Sequence, residues 1–141
     1  MADDSVIGKR YPGYEFTIER GKVREFARAT MSRNPDYLDD PAAVIPPTWL
    51  IASGFWAPDD LENPVASLNI SLARLLHGGQ EFQFFGPPPR AGARLTTESW
   101  IDSVYEKEGK RGTMMFLVDE TRLTNQRGEL VRISHRVTIY S

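Results

Sequence analysis

Between Ser32 and Asp40 the chain gathers hydroxyl, amide and carboxylate groups at Ser32, Asn34, Asp36, Tyr37, Asp39 and Asp40. His77 and His135 are its only histidines. Proton transfer near neutral pH needs a group that titrates there, and a serine or tyrosine hydroxyl does not do so unaided. The acidic cluster reads as a solvated loop, or as the source of a displaced acid at Asp36 or Asp39. There are no cysteines, so thiolate chemistry and disulfides are excluded. With two histidines far apart in sequence, a metal site would have to be built mainly from carboxylates. Neither a metal nor any other cofactor is expected.

The elements that must hold these groups follow from periodicity. Tyr14, Phe16 and Ile18 alternate along a first strand within Lys9–Ile18. Val23, Phe26, Ala27 and Thr30 recur at helical spacing and predict an amphipathic helix over Glu19–Thr30, with Lys22, Arg24, Glu25 and Arg28 solvated. Pro35 ends that helix near Ser32, and Asn34 can open a turn. Ile45-Pro46-Pro47 forces an extended approach to Thr48–Trp56. That segment is apolar on nearly every face, which predicts a buried helix with Thr48 as its N-cap. The second half reads as strands at Gln80–Phe85, Arg94–Lys107, Thr113–Thr124 and the stretch from Val131 to Ile139. Glu108–Gly112 and Asn125–Gly128 supply turns. The expected architecture is α+β, an antiparallel sheet wrapped around a central buried helix.

Composition bounds the function. A chain of 141 residues with 40% hydrophobic and 26% charged residues is expected to form one globular domain over residues 1–141. A net charge of −2 gives no electrostatic reason to expect nucleic acid or an anionic membrane. No apolar run approaches the roughly 20 residues of a membrane span, and the acidic start is unlike a signal peptide. A cytoplasmic location is the default expectation.

Ser32–Tyr37 resembles the hydratase motif of the MaoC-like hot-dog family, which runs Asp, any residue, Asn, Pro, an apolar residue, His. Asn34 and Pro35 match; Ser32 stands at the Asp position and Tyr37 at the His position. Leu76-His77-Gly78-Gly79-Gln80-Glu81, followed by Pro87–Pro89 and Arg90-Ala91-Gly92, is similar to a pattern in the N-terminal half of (3R)-enoyl-CoA hydratases. Pro46-Pro47-Thr48-Trp49 resembles the entry to the central helix in that class, and the likeness runs from about Val6 to Tyr140.

The resemblance implies a single hot-dog domain of the class that lacks the dyad. In that family, a dyad-bearing half hydrates an enoyl thioester or dehydrates a (3R)-hydroxyacyl thioester, while the other half shapes the acyl tunnel. It therefore implies an acyl-CoA or acyl-carrier-protein thioester as ligand. It also implies a dyad-bearing hot-dog subunit as partner, in a heterodimer or heterotetramer, with a homodimer left open. Ser32, Asn34, Tyr37, Pro47, Thr48, Trp49, His77 and Gly78 are the implied substrate-binding residues, and none is expected to be catalytic. The thioester oxygen gains charge in the reaction and needs donors, which a helix N-terminus at Thr48 would supply and Pro47 would reduce by one. Plainer roles stand beside these: His77 as a turn residue, His135 as a packed or edge residue, Tyr37 as an anchor at the core's rim, and Trp49, Phe55 and Trp56 as core.

Overall fold

The computed structural model describes residues 4–68 and 70–140. Two short strands, β1 (Arg10–Tyr11) and β2 (Glu15–Thr17), lead into helix α1 (Arg20–Ala29) and one-turn helix α2 (Pro35–Leu38). A 3-10 helix (Trp49–Trp56) follows. Four long strands complete the fold: β3 (Leu75–Phe84), β4 (Arg94–Gly109), β5 (Gly112–Thr124) and β6 (Leu130–Tyr140). The sheet is antiparallel in the order β3-β6-β5-β4, and β1 and β2 both pair along the free side of β4.

The first predicted strand is broken for a steric reason. At Gly13 the chain crosses β4 so closely that a Cβ would lie 2.0 Å from the Thr97 carbonyl oxygen, and only glycine tolerates that approach. β3 begins at Leu75, earlier than expected, and takes in His77 and Gly78. The ladder to β6 slips between His77 and Gly79, so Gly78 is a bulge residue. A side chain there would collide with Ile139, whose Cδ1 would be 2.6 Å away.

Helix α1 turns Val23 and Ala27 fully inward. Thr30, expected on that face, instead bonds its hydroxyl back to the carbonyls of Phe26 and Ala27. Met31 takes a left-handed conformation with φ 57°, Ser32 N–H donates to the Ala27 carbonyl, and Met31 N–H donates to Arg28. This is a Schellman stop built without glycine. Asn34 then caps α2, accepting from Asp36 N–H at 3.0 Å, with Pro35 in the first turn, as its geometry favours. Arg24, expected to be solvated, donates to the Leu38 carbonyl at 2.9 Å, and Arg20 bonds the carbonyls of Asp39 and Asp40.

The core falls into two clusters. One joins Phe16, Ile18, Val23, Trp49, Leu50, Leu95 and Leu123; the other joins Tyr11, Ile101, Val104 and Leu117. Trp49 is fully buried and its indole N–H donates to the Lys22 carbonyl at 3.1 Å, tying the 3-10 helix to α1. The segment after it departs from the expected buried helix. Only Trp49 and Leu50 are buried, whereas Ile51 is 50% and Phe55 86% exposed. A 3-10 helix rises about 2 Å per residue, so these residues quickly leave the sheet, and the far end returns to the core only where Trp56 stacks on Phe16. Thr48 sits at the N-cap position without a side-chain capping bond.

Replacing Trp49 by alanine empties the seat that joins α1, the 3-10 helix and the sheet. Trp49→Ala should lower unfolding free energy by about 3–5 kcal/mol in denaturant titration. A loss below about 1 kcal/mol, the range of ordinary surface changes, would show that this seat is not central.

Candidate functional site

Strand register determines what faces the interior. On β6 the sequence alternates Val131, Ile133, His135, Val137 and Ile139 against Arg132, Ser134, Arg136 and Thr138. Alternation suggests the apolar set points inward, yet Arg132 is fully buried and Thr138 nearly so. The polar set of β6 meets Leu123, Thr121, Asp119 and Leu117 of β5 in register, and these meet Thr97, Ser99, Ile101 and Val104 of β4. Two polar rows therefore cross the inner face between the apolar clusters. The first is Ser99–Thr121–Ser134; the second contains Asp119 and Arg136 and ends on Gln80 of β3.

These rows floor a cavity of about 420 Å³ whose walls include Tyr14, Leu50 and Phe82, and whose roof is formed by Ala57–Pro64. Ser99 and Thr121 bond each other at 2.8 Å, and Gln80 donates its amide N–H to the Ser134 hydroxyl. Arg136 Nε donates to Asp119 Oδ2 at 2.9 Å. Burial pushes the Asp119 carboxyl above its ordinary value, against the opposing pull of Arg136. Burial also raises the Tyr14 phenol.

Beside the cavity, the Arg132 guanidinium lies 3.7 Å from the Phe82 ring centroid and 4.2 Å from that of Phe84, and its Nη2 donates to the Pro47 carbonyl at 3.1 Å. Nε and Nη1 are buried with no partner among the described residues. Removal from water lowers its pKa to about 10.

The eight residues singled out from sequence fall into three separate places. Ser32, Asn34 and Tyr37 sit at the α1–α2 junction. There the Ser32 hydroxyl accepts from Asn34 N–H at 3.3 Å, and Tyr37 packs half-buried against the larger core cluster. Pro47, Thr48 and Trp49 form the entry to the 3-10 helix. His77 and Gly78 lie on β3, where His77 is exposed and its Nε2 is 3.1 Å from Gln80 Oε1. None of the eight lines the cavity. His77 approaches it through Gln80 and through a weak electrostatic interaction with Asp119. His135 occupies the opposite face of the sheet, half-buried, 2.9 Å from Glu120.

Sequence reasoning missed Asp119, Arg132 and Arg136, together with the hydroxyl row. The signal was the second phase of the β6 alternation, visible as a pattern but carrying no mark of which phase turns inward. Among the described residues no cluster of histidine and carboxylate groups could hold a metal, and no helix is long and apolar enough to cross a membrane.

Comparison with known proteins agrees with this frame. A family model for the FAS1-like dehydratase domain region matches residues 5–134. A UPF0336 protein of Streptomyces coelicolor is 35% identical, covering 76% of each chain. One of Saccharopolyspora erythraea is 34% identical, covering 92% of this chain and 85% of its own. Among solved structures, the C-terminally truncated HadBC (3R-hydroxyacyl-ACP dehydratase) complex from Mycobacterium tuberculosis aligns with a TM-score of 0.73 at 24% identity, over 95% and 96% of the two chains. The ChsH1–ChsH2 complex from the same organism aligns at 0.72 and 12% identity, over 94% and 84%. The expected hot-dog fold, shared with MaoC-like dehydratases, stands, and the chain belongs to the FAS1-like dehydratase-region family.

Proposed function

We propose that this chain is the non-catalytic, acyl-binding subunit of a heteromeric enoyl-thioester hydratase or (3R)-hydroxyacyl-thioester dehydratase. Its ligand would be an acyl-CoA or acyl-carrier-protein thioester. The observation that carries the reading is the junction from Ser32 to Tyr37. Asn34 and Pro35 keep the capped turn, while the flanking positions hold a serine hydroxyl bonded to the local backbone and a tyrosine packed on the core. Hydration of an enoyl thioester needs an acid and a base within about 3 Å of their targets, and this junction supplies neither. Two further facts favour a second chain. β3 is a ten-residue edge strand, and an open edge of that length invites pairing. The HadBC and ChsH1–ChsH2 neighbours are themselves two-component complexes.

Co-expression with a hot-dog chain carrying the Asp and His should give a purified complex that hydrates an enoyl thioester. Its rate should exceed that of the lone chain by about 100-fold or more, the usual contribution of general acid–base groups. A lone chain as fast as the pair would defeat the proposal. A non-catalytic binding module predicts instead that thioester binds and no partner adds rate.

A self-sufficient hydratase with a displaced acid has one observation in its favour. Asp36 and Asp39 are exposed away from the cavity, but Asp119 lies on its floor with its pKa raised by burial. A folded-state pKa above the ordinary 3.8 means that Asp119 contributes stability fully below that value and loses it as pH rises through the folded value. Asp119→Asn should therefore flatten the decline in melting temperature on raising the pH from 3.8 toward neutrality. An unchanged profile would show that burial does not govern this carboxyl. If the lone wild-type chain proves active, persistence of that activity in Asp119→Asn removes the displaced-acid reading.

A further inference from the structure

Resting on the acyl-thioester reading above, we infer that the acyl group taken by this chain carries a hydroxyl or carbonyl oxygen partway along its length, seated on Ser99, Thr121 and Ser134. The cavity's floor runs from apolar to polar, with Leu50 and Leu123 of the larger core cluster at one end and Asp119 and Arg136 at the other. Between these ends, Ser99, Thr121 and Ser134 occupy registered positions on three neighbouring strands. Tyr11 closes the hydroxyl row on its β1 side, in register with Ser99. Neighbouring strands are about 4.8 Å apart, so the hydroxyls form a continuous row across the floor.

The second row reinforces the first. Asp119 and Arg136 bond each other through one guanidinium N–H and one carboxylate oxygen, and both border the cavity. An arginine fork has further N–H donors and a carboxylate has a second acceptor oxygen. The floor thus presents donors and acceptors together, matching a hydroxyl that does both or a carbonyl that accepts. A plain alkyl chain laid across these rows would strip their water and return no hydrogen bond, a cost that its methylenes must overcome. Sites built around a substrate oxygen discriminate by this route against analogues that lack it. The volume, about 420 Å³, is in the range of small-ligand sites, about 300–1,000 Å³.

The test uses pantetheine thioesters of two acids of equal chain length, one a plain alkanoate and the other with a mid-chain keto or hydroxyl group. Each is titrated calorimetrically into the full chain. The oxygenated thioester should bind at least about tenfold tighter, equivalent to about 1.4 kcal/mol. In the Thr121→Val, Ser134→Ala double variant the preference should shrink toward one, with affinity for the alkyl thioester equal or higher. Valine suits a strand, and retained alkyl binding reports that the variant is folded. A Ser99→Ala variant provides a second, independent reduction of the preference. Equal or tighter binding of the alkyl thioester to the wild type, or a preference that survives in the double variant, overturns this inference and leaves the acyl-thioester reading standing. Failure of both thioesters to bind overturns that reading and the inference with it.

Discussion

The contact between the Arg132 guanidinium and the Pro47 carbonyl links the inner face of the sheet to the segment that enters the 3-10 helix. It places a cation in the interior with no ion-pair partner among the described residues. A desolvated cation–π contact is worth about 2 kcal/mol, and a hydrogen bond from a charged donor about 1.5–3 kcal/mol. Against these stand the buried Nε and Nη1, without a partner among the described residues, each costing about 1–3 kcal/mol. These terms oppose one another, and what Arg132 supplies is a fixed arrangement. Two phenylalanine rings leave the guanidinium little freedom. The carbonyl it holds belongs to a residue whose ring already restricts the chain. The entry to the 3-10 helix is thus set from the sheet side by Arg132 and from the helix side by Trp49 on Lys22.

That arrangement accounts for the cavity. With the first turn of the 3-10 helix pinned over Leu123 and Leu95, the chain after it is carried away from the sheet and returns through Ala57–Pro64 as a roof. The gap beneath stays open because the sheet offers polar side chains there, which are satisfied by one another or by water and gain nothing from collapse. Apolar residues at the same positions would favour closing the gap. The sheet's polar rows and the poorly buried second half of the 3-10 helix are two sides of one packing solution.

The sequence showed the elements better than their orientation. Period-two patterning with glycine-rich turns located the three long C-terminal strands, because strand and turn chemistry are local. The Asn34–Pro35 cap was legible for the same reason. The stop at Met31 was not, since a left-handed methionine carries no compositional mark. β3 was read too short because Gly78 and Gly79 look like a turn, whereas the bulge lets the ladder run through them. The inner face was missed on β6 because alternation gives a phase without a sign. Which phase faces inward depends on the partner strands and the roof, all distant in sequence. Asp119 and Arg136 escaped notice for that reason, while Ser32 and Tyr37 stood out through motif likeness.

The two parts of the proposed role are held by different kinds of structure, and this bears on how such a subunit can exist. Ser32 and Tyr37 lie on a junction defined by a helix stop and a one-turn helix, held by arginine bonds to carbonyls. The hydroxyl row lies on central strands whose register is set by the whole ladder. Changing side chains at the junction leaves the ladder untouched. Shifting the ladder by one residue would send the entire polar row to the other face. A hot-dog chain can therefore lose proton-transfer groups from its junction by single substitutions and still retain a shaped, polar-floored cavity. The reverse is harder, because the cavity is a property of several strands at once. Loss of chemistry with retention of a binding surface is the path that this fold leaves open.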